Sequence, residues 1–336
     1  MNKPSGGCLA VFVALLLVVS LFVNGALILA FSVRGASGGD GIGEAKYQER
    51  LVSGSSSSAA KVVVIDLHGL ISGGTSGQFG DNMVSDIELQ LRQAKKDANV
   101  KAVVLRIDSP GGEVTASDEI YHFVSEFRAS KPVVVDMESV AASGGYYSAM
   151  GGSYIVANDL TLTGSIGVIL ETFNVAGLID KIGVRSVVIK SGKMKDMLSP
   201  FREATPEETA YLQGLINESY DKFVGIVAKE RKLDVNLLRN GIADGRVLSG
   251  RQAKAAGLID ETGYFDDAVR KARELGKADG AKVVSYQPPF AFDRLFRALA
   301  ASQVRPLRVE LGGVESGALP LLSGKLYFLP SSVVGR

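Results

Sequence analysis

From residue 61 onward the chain repeats a pattern that few folds accommodate: short, continuous runs of apolar and β-branched residues separated by stretches of helical apolar spacing. The runs are 61–67 (KVVVIDL), 100–107 (VKAVVLRI), 133–137 (VVVDM), 154–157 (YIVA) and 185–190 (RSVVIK). A strand that alternates apolar and polar residues has one wet face. A strand that does not alternate is covered on both, which in practice means a parallel sheet sandwiched by helices. The spacing between the runs predicts helices over 86–98, 115–128 and 173–182, and a short helix of small residues after position 143. The second half is more helical. Thr205-Pro206-Glu207-Glu208 combines a capping threonine, a first-turn proline and a glutamate three residues on, so a helix is expected from there to about residue 231. Further helices are expected over 249–257 and 266–275, and a last strand over 283–286. The expected class is α/β.

Four segments follow from this reading. Residues 1–34 form a short stub and an apolar anchor. Cys8 to Phe31 carries no charge, and Asn24 is its only strongly polar side chain. As a helix it would extend roughly 36 Å, against a bilayer core of about 30 Å. Cleaved leaders have shorter apolar stretches. Lys3 precedes this stretch and Arg34 follows it, so charge bias favours an inward N-terminus only weakly. Residues 35–60 are rich in Gly and Ser and read as a flexible linker. Residues 61–290 are the folded domain. In the tail, 291–336, Phe292, Leu295, Phe296 and Leu299 share one helical face, and residues 319–330 are again apolar.

Charge and composition exclude several classes. Lys plus Arg number 37 and Asp plus Glu 36, so the basic surplus that nucleic acid demands is missing. One cysteine and two histidines, His68 and His122, leave no set of ligands for a structural zinc.

Among residues able to do chemistry, Ser143 follows a strand, opens the expected short helix and precedes Gly144-Gly145. A serine there would sit at the carboxyl end of the sheet, where such folds place their sites. The turn Ser109-Pro110-Gly111-Gly112 also follows a strand, and its glycines could aim backbone N–H groups at an anion. An attacking serine needs a base. His122 lies inside a helix and His68 in a turn, so neither stands out. A lysine can serve if it is held neutral. Lys190, Lys193 and Lys195 all lie close to one expected strand end, and composition does not choose among them.

Five motifs, taken together, resemble the signal peptide peptidase A family in its short, single-domain bacterial form. They are Asp108-Ser109-Pro110-Gly111-Gly112, residues 139–147 (SVAASGGYY), 161–168 (TLTGSIGV), 191–197 (SGKMKDM) and 245–263 (GRVLSGRQAKAAGLIDETG). The resemblance covers about 60–275. It implies a Clp-protease/crotonase-like spiral of β-β-α units behind an N-terminal transmembrane helix. It implies Ser143 as nucleophile, Lys195 as general base, and Ser165 as the serine that orients the lysine. Backbone N–H groups of Gly144 and of Gly111 or Gly112 would form the oxyanion hole, with no metal or cofactor. The implied substrates are apolar peptides such as remnant signal peptides. The implied setting is a ring-shaped homo-oligomer on the bacterial inner membrane, held by residues 8–31, with the catalytic domain on the extracytoplasmic side. With one domain per chain, Lys195 would reach a neighbouring subunit's Ser143. Two other readings share the fold: a catalytically inactive membrane scaffold and a crotonase-like acyl-CoA enzyme.

Overall fold

The computed structural model describes residues 13–26, 47–74, 82–288 and 327–328. The N-terminal 46 residues form one unit and residues 47–336 a second. In the first unit, residues 13–26 form helix α1. Its apolar side chains are exposed, among them Leu21 and Phe22, and Asn24 donates its side-chain N–H to the Ser20 carbonyl (2.6 Å). The rest of the expected 8–31 span lies outside the described residues. Among the described residues no helix is long and apolar enough to cross a membrane.

The second unit runs β1 (Gln48–Ser53), β2 (Lys61–His68), α2 (Met83–Lys96), β3 (Val100–Ser109), β4 (Gly112–Glu113), α3 (Val114–Arg128), β5 (Val133–Ala142), α4 (Gly144–Ala149), β6 (Tyr154–Ala157), β7 (Leu162–Gly164), α5 (Ala176–Lys181), α6 (Pro206–Arg231), α7 (Val235–Arg239), β8 (Val247–Ser249), α8 (Gly250–Ala255), β9 (Glu261–Thr262), α9 (Phe265–Leu275), β10 (Lys282–Gln287) and β11 (Tyr327–Phe328). The main sheet has the order β1-β10-β2-β3-β5-β6-β9. It is parallel from β10 to β9, and antiparallel β1 closes one edge. The sheet is therefore mixed, with a parallel centre as the non-alternating runs require. One face packs Val63, Ile65, Leu105, Ile107 and Val135 against α2, α3 and α4. The opposite face packs Val62, Val64, Val104 and Val134 against Ala268, Val269 and Ala272 of α9. Both faces of the central strands are dry, which explains why their sequences do not alternate.

Three expectations need correction. Strand β1 lies inside the stretch read as a linker, because Gln48–Ser53 finds an edge on β10. Residues 185–190 were expected as a strand and are not one. Among the described residues no strand pairs with them, and Val187 is 84% and Ile189 97% exposed. The helix expected over 173–182 is reduced to α5, which buries no residue. The amphipathic tail segment around Phe292 lies outside the described residues. Farther along, β11 pairs antiparallel with β4 of the same chain, Phe328 opposite Gly112.

One detail of the sheet sets up the site. Strand β5 forks: its first half, Val134 to Met137, pairs with β6, and its end, Val140 to Ala142, pairs with β7. Thr161 donates to the Met137 and Glu138 carbonyls at the fork, and Asp108 accepts the Val140 N–H at 3.0 Å. The strand was expected to stop at residue 137. These side-chain bonds carry it five residues farther, up to Ser143.

Candidate active site

Ser143 sits between the end of β5 and the start of α4, with φ 53° and ψ −112°. That backbone conformation suits glycine and strains any residue with a Cβ, at a cost of about 1–3 kcal/mol. The residue is fully buried, yet its Oγ has no hydrogen-bond partner among the described residues. An unpaired buried hydroxyl costs about 1–3 kcal/mol more. Two local penalties at one side chain point to a group held for chemistry. The frame around it is rigid. The Ser143 N–H donates to the Gly164 carbonyl (2.8 Å) and the Tyr147 N–H to the Ser143 carbonyl (2.8 Å). The Tyr146 hydroxyl donates to the Leu258 carbonyl at 2.8 Å, and burial pushes that phenol far above its ordinary pKa.

The bond to Gly164 places the next expected residue alongside. Ser165 is buried, also has a positive φ of 50°, and is fixed by its N–H to the Arg246 carbonyl (2.8 Å). Only five described non-glycine residues have positive φ. Two of them are Ser143 and Ser165, and a third, Leu198, is three residues past Lys195. Beside Ser165 opens a pocket of about 430 Å³ lined by Ile166, Val168, Ile169, Ile216 and Tyr220.

The glycine turn meets Ser143 from the other side. A Cβ on Gly144 would come 3.0 Å from the Gly112 nitrogen and 2.5 Å from Ser117 Oγ, so the two glycine backbones touch. A Cβ on Gly112 would lie 1.9 Å from the Ile71 carbonyl oxygen, which leaves no room for any other residue. The Gly111 N–H is already given to Ser109 Oγ at 3.1 Å.

The Lys195 amine makes no hydrogen bond to Ser143 Oγ. Lys195 is exposed on a loop of turns, and its backbone N–H donates to the Gly192 carbonyl. Its two rivals are engaged elsewhere: Lys190 Nζ pairs with Asp196 (2.6 Å) and Lys193 Nζ with Glu207 (2.5 Å). Neither histidine substitutes. His68 Nε2 lies 2.9 Å from Glu138, and His122 is exposed on α3.

Sequence reasoning missed Arg202 and the network it builds among charged residues spaced six apart, Lys190, Asp196, Arg202 and Glu208. Asp196 takes Lys190 on one side and Arg202 on the other, and Arg202 also bonds Glu208 through both Nη atoms. The Arg202 hydrogen bond holds the Asp196 carboxyl well below the usual carboxylate range and Glu208 down to about 2. The alternating sign at a fixed six-residue interval was the available signal.

The same stretches of chain are what known families match. The model of peptidase family S49 matches residues 125–279, and that of Clp protease residues 74–157. A protein of Enterococcus faecium provisionally named signal peptide peptidase SppA is 36% identical over 71% of this chain and 70% of its own length. The chain belongs to peptidase family S49. A provisionally named protease of Synechocystis is 41% identical over 68% of the chain and 78% of its own length. One of Methanocaldococcus jannaschii is 43% identical over 61% of the chain and 63% of its own. The fold of this S49 chain is thus a Clp-protease-like α/β fold with a mixed sheet, and the S49 match contains Ser143, Ser165 and Lys195.

Proposed function

We propose that the chain is a membrane-anchored serine endopeptidase in which Ser143 attacks the peptide carbonyl and Lys195 of a neighbouring copy is the base. The observation that carries this reading is the strained, buried and unpartnered hydroxyl of Ser143 at the end of β5. Neutral Lys195 takes the Ser143 proton as the Ser143 Oγ bonds to the carbonyl carbon. It then protonates the leaving amine, and water releases the acyl group. Ser165, one residue beyond the carbonyl that fixes Ser143, orients the amine. The oxyanion is held by the N–H groups of Gly144 and Gly112, since that of Gly111 is spoken for.

Two features support a partner copy. Among the described residues no base is hydrogen-bonded to Ser143 Oγ, and the segment around Lys195 exposes Phe173, Leu178, Ile182, Val187 and Ile189, an apolar surface that a soluble monomer does not keep uncovered. Strand β4 already accepts an extended chain, β11, in antiparallel register. A peptide substrate takes the place of β11 there by strand addition, with an apolar side chain in the pocket beside Ser165. Remnant signal peptides fit that chemistry.

The direct test is a fluorophosphonate probe on the full chain. It should label Ser143, and both Ser143→Ala and Lys195→Ala should abolish labelling. A probe found on another serine, or undiminished labelling in Lys195→Ala, would overturn the assignment. The anchor rests on the uncharged run from Cys8 to Phe31 and on Asn24 satisfying its amide within α1. The full chain should stay with membranes through alkaline carbonate washing, and a chain lacking residues 1–34 should not. Release of the full chain would remove the anchor from the reading.

A further inference from the structure

The loop that carries Lys195 has little to hold it. Residues 191–199 form turns without a sheet partner, and most of them are exposed or half-buried. Yet Leu198 within it adopts φ 66°, a conformation that a leucine keeps only where its surroundings impose it. The imposing contacts are polar. The Asp196 carboxylate, one residue past Lys195, accepts from Lys190 Nζ (2.6 Å), Arg202 Nε (3.0 Å) and Arg202 Nη2 (2.8 Å). Arg202 Nη2 also reaches the Asp196 carbonyl (3.1 Å), and Nη1 the Glu203 carbonyl (3.0 Å) and Glu208 Oε2 (2.9 Å). Lys190 Nζ adds the Lys193 carbonyl at 3.1 Å.

The far end of this chain of contacts is anchored. Glu208 is buried and is the third residue of α6, where it completes the capping box by accepting the Thr205 N–H at 2.8 Å. A helix of about seven turns thereby fixes one carboxylate, that carboxylate fixes a planar guanidinium, and the guanidinium fixes Asp196 in two dimensions. Arginine suits the middle position because its fork bonds two carboxylates at once. Asp196 takes up Lys190 and Glu207, outside the brace, takes up Lys193, and among the described residues the Lys195 amine has no ion pair.

We propose that Arg202, with Asp196 and Glu208, is a positioning device that presents the Lys195 amine to the neighbouring copy's Ser143. Arg202 touches neither substrate nor the reacting atoms. It acts by removing the freedom of the loop, so that the base arrives in a geometry fixed before the copies meet. The inference rests on the reading of Lys195 as the base. Both carboxylates stay ionised until the pH falls towards strongly acidic values, because their pKa values are depressed in the fold. The brace is therefore intact throughout the range in which a lysine base works.

The experiment compares the full-length assembled enzyme with Arg202→Gln, Asp196→Asn, Glu208→Gln and Arg202→Lys on an apolar fluorogenic peptide across pH, with Lys195→Ala as reference. Arg202→Gln and Asp196→Asn should lower kcat by about 10–100-fold with KM little changed, as expected when a reacting group is displaced by about 1 Å. The acidic limb of the kcat profile, which reports the base, should move to higher pH. Glu208→Gln keeps the shape of the side chain and gives a smaller effect of the same kind, and Arg202→Lys should recover part of kcat. Inactive Lys195→Ala beside brace variants with unchanged kcat and pH profile would overturn the positioning role alone. Active Lys195→Ala would overturn the base, and the positioning role with it. A loss of kcat that only tracks lost assembly or a lower Tm, with the pH limb unmoved, would reduce Arg202 to a structural residue and also reject the proposal.

Discussion

Replacing Ser143 by glycine is expected to destroy peptide hydrolysis and to stabilise the fold at the same time. The loss of activity should be about 10⁴–10⁶-fold, the size seen when a nucleophile is removed from a serine hydrolase. The gain in stability has two sources at one position. Glycine accepts φ 53° and ψ −112° without strain, and no buried hydroxyl is left unpaired. Against these stands the extra entropy of glycine in the unfolded chain, about 0.5–1 kcal/mol. A net gain of about 1–2 kcal/mol, read as a higher denaturant midpoint, is the expected result. Ser143→Ala should be equally inactive but gain less, because alanine keeps the strain and removes only the hydroxyl. If Ser143→Gly turned out inactive and markedly less stable than the parent, the hydroxyl would be bonded and the backbone unstrained, and the case for Ser143 as nucleophile would lose its basis.

Mixing two dead variants should restore activity. Ser143→Ala carries an intact Lys195, and Lys195→Ala an intact Ser143. If each site combines residues from two copies, a co-assembled mixture contains sites with both. Random assembly through one head-to-tail interface gives about a quarter of the parental number of sites. Peptide hydrolysis by the co-expressed mixture, against silent single variants, is the measurement. A mixture as inactive as its components, with mixed assembly verified, would mean that base and nucleophile come from one chain. The exposure of Lys195 and the lack of a hydrogen-bond partner for the Ser143 hydroxyl among the described residues favour recovery.

Much of the fold was legible because it depends on local rules. The non-alternating runs at β2, β3 and β6 announce strands covered on both faces, and Thr205 to Glu208 spells the start of α6. The misreadings share one cause. Residues 185–190 have the composition of a strand, but a strand exists only where a partner edge does, and the described residues offer none. Residues 48–53 have a weaker signal and do form a strand, because β10 leaves an edge beside them. The end of β5 was legible only up to Met137. Its extension depends on Thr161 and Asp108, which bond to it from distant parts of the sequence.

The sequence by itself determined the parallel α/β core and the glycine turns and drew attention to Ser143, because hydrophobic pattern and turn chemistry are properties of neighbours along the chain. Ser165 and Lys195 were singled out only by the resemblance to a known family. Only the tertiary structure decided that Ser143 and Ser165 are strained and adjacent, that Gly112 packs against Gly144, and that Arg202 ties the lysine loop to α6. The first two are contacts between segments tens of residues apart, whose geometry is set by how the sheet forks and how the helices close over it. The third joins charges six residues apart, where the spacing is local but the fold decides which of them pair.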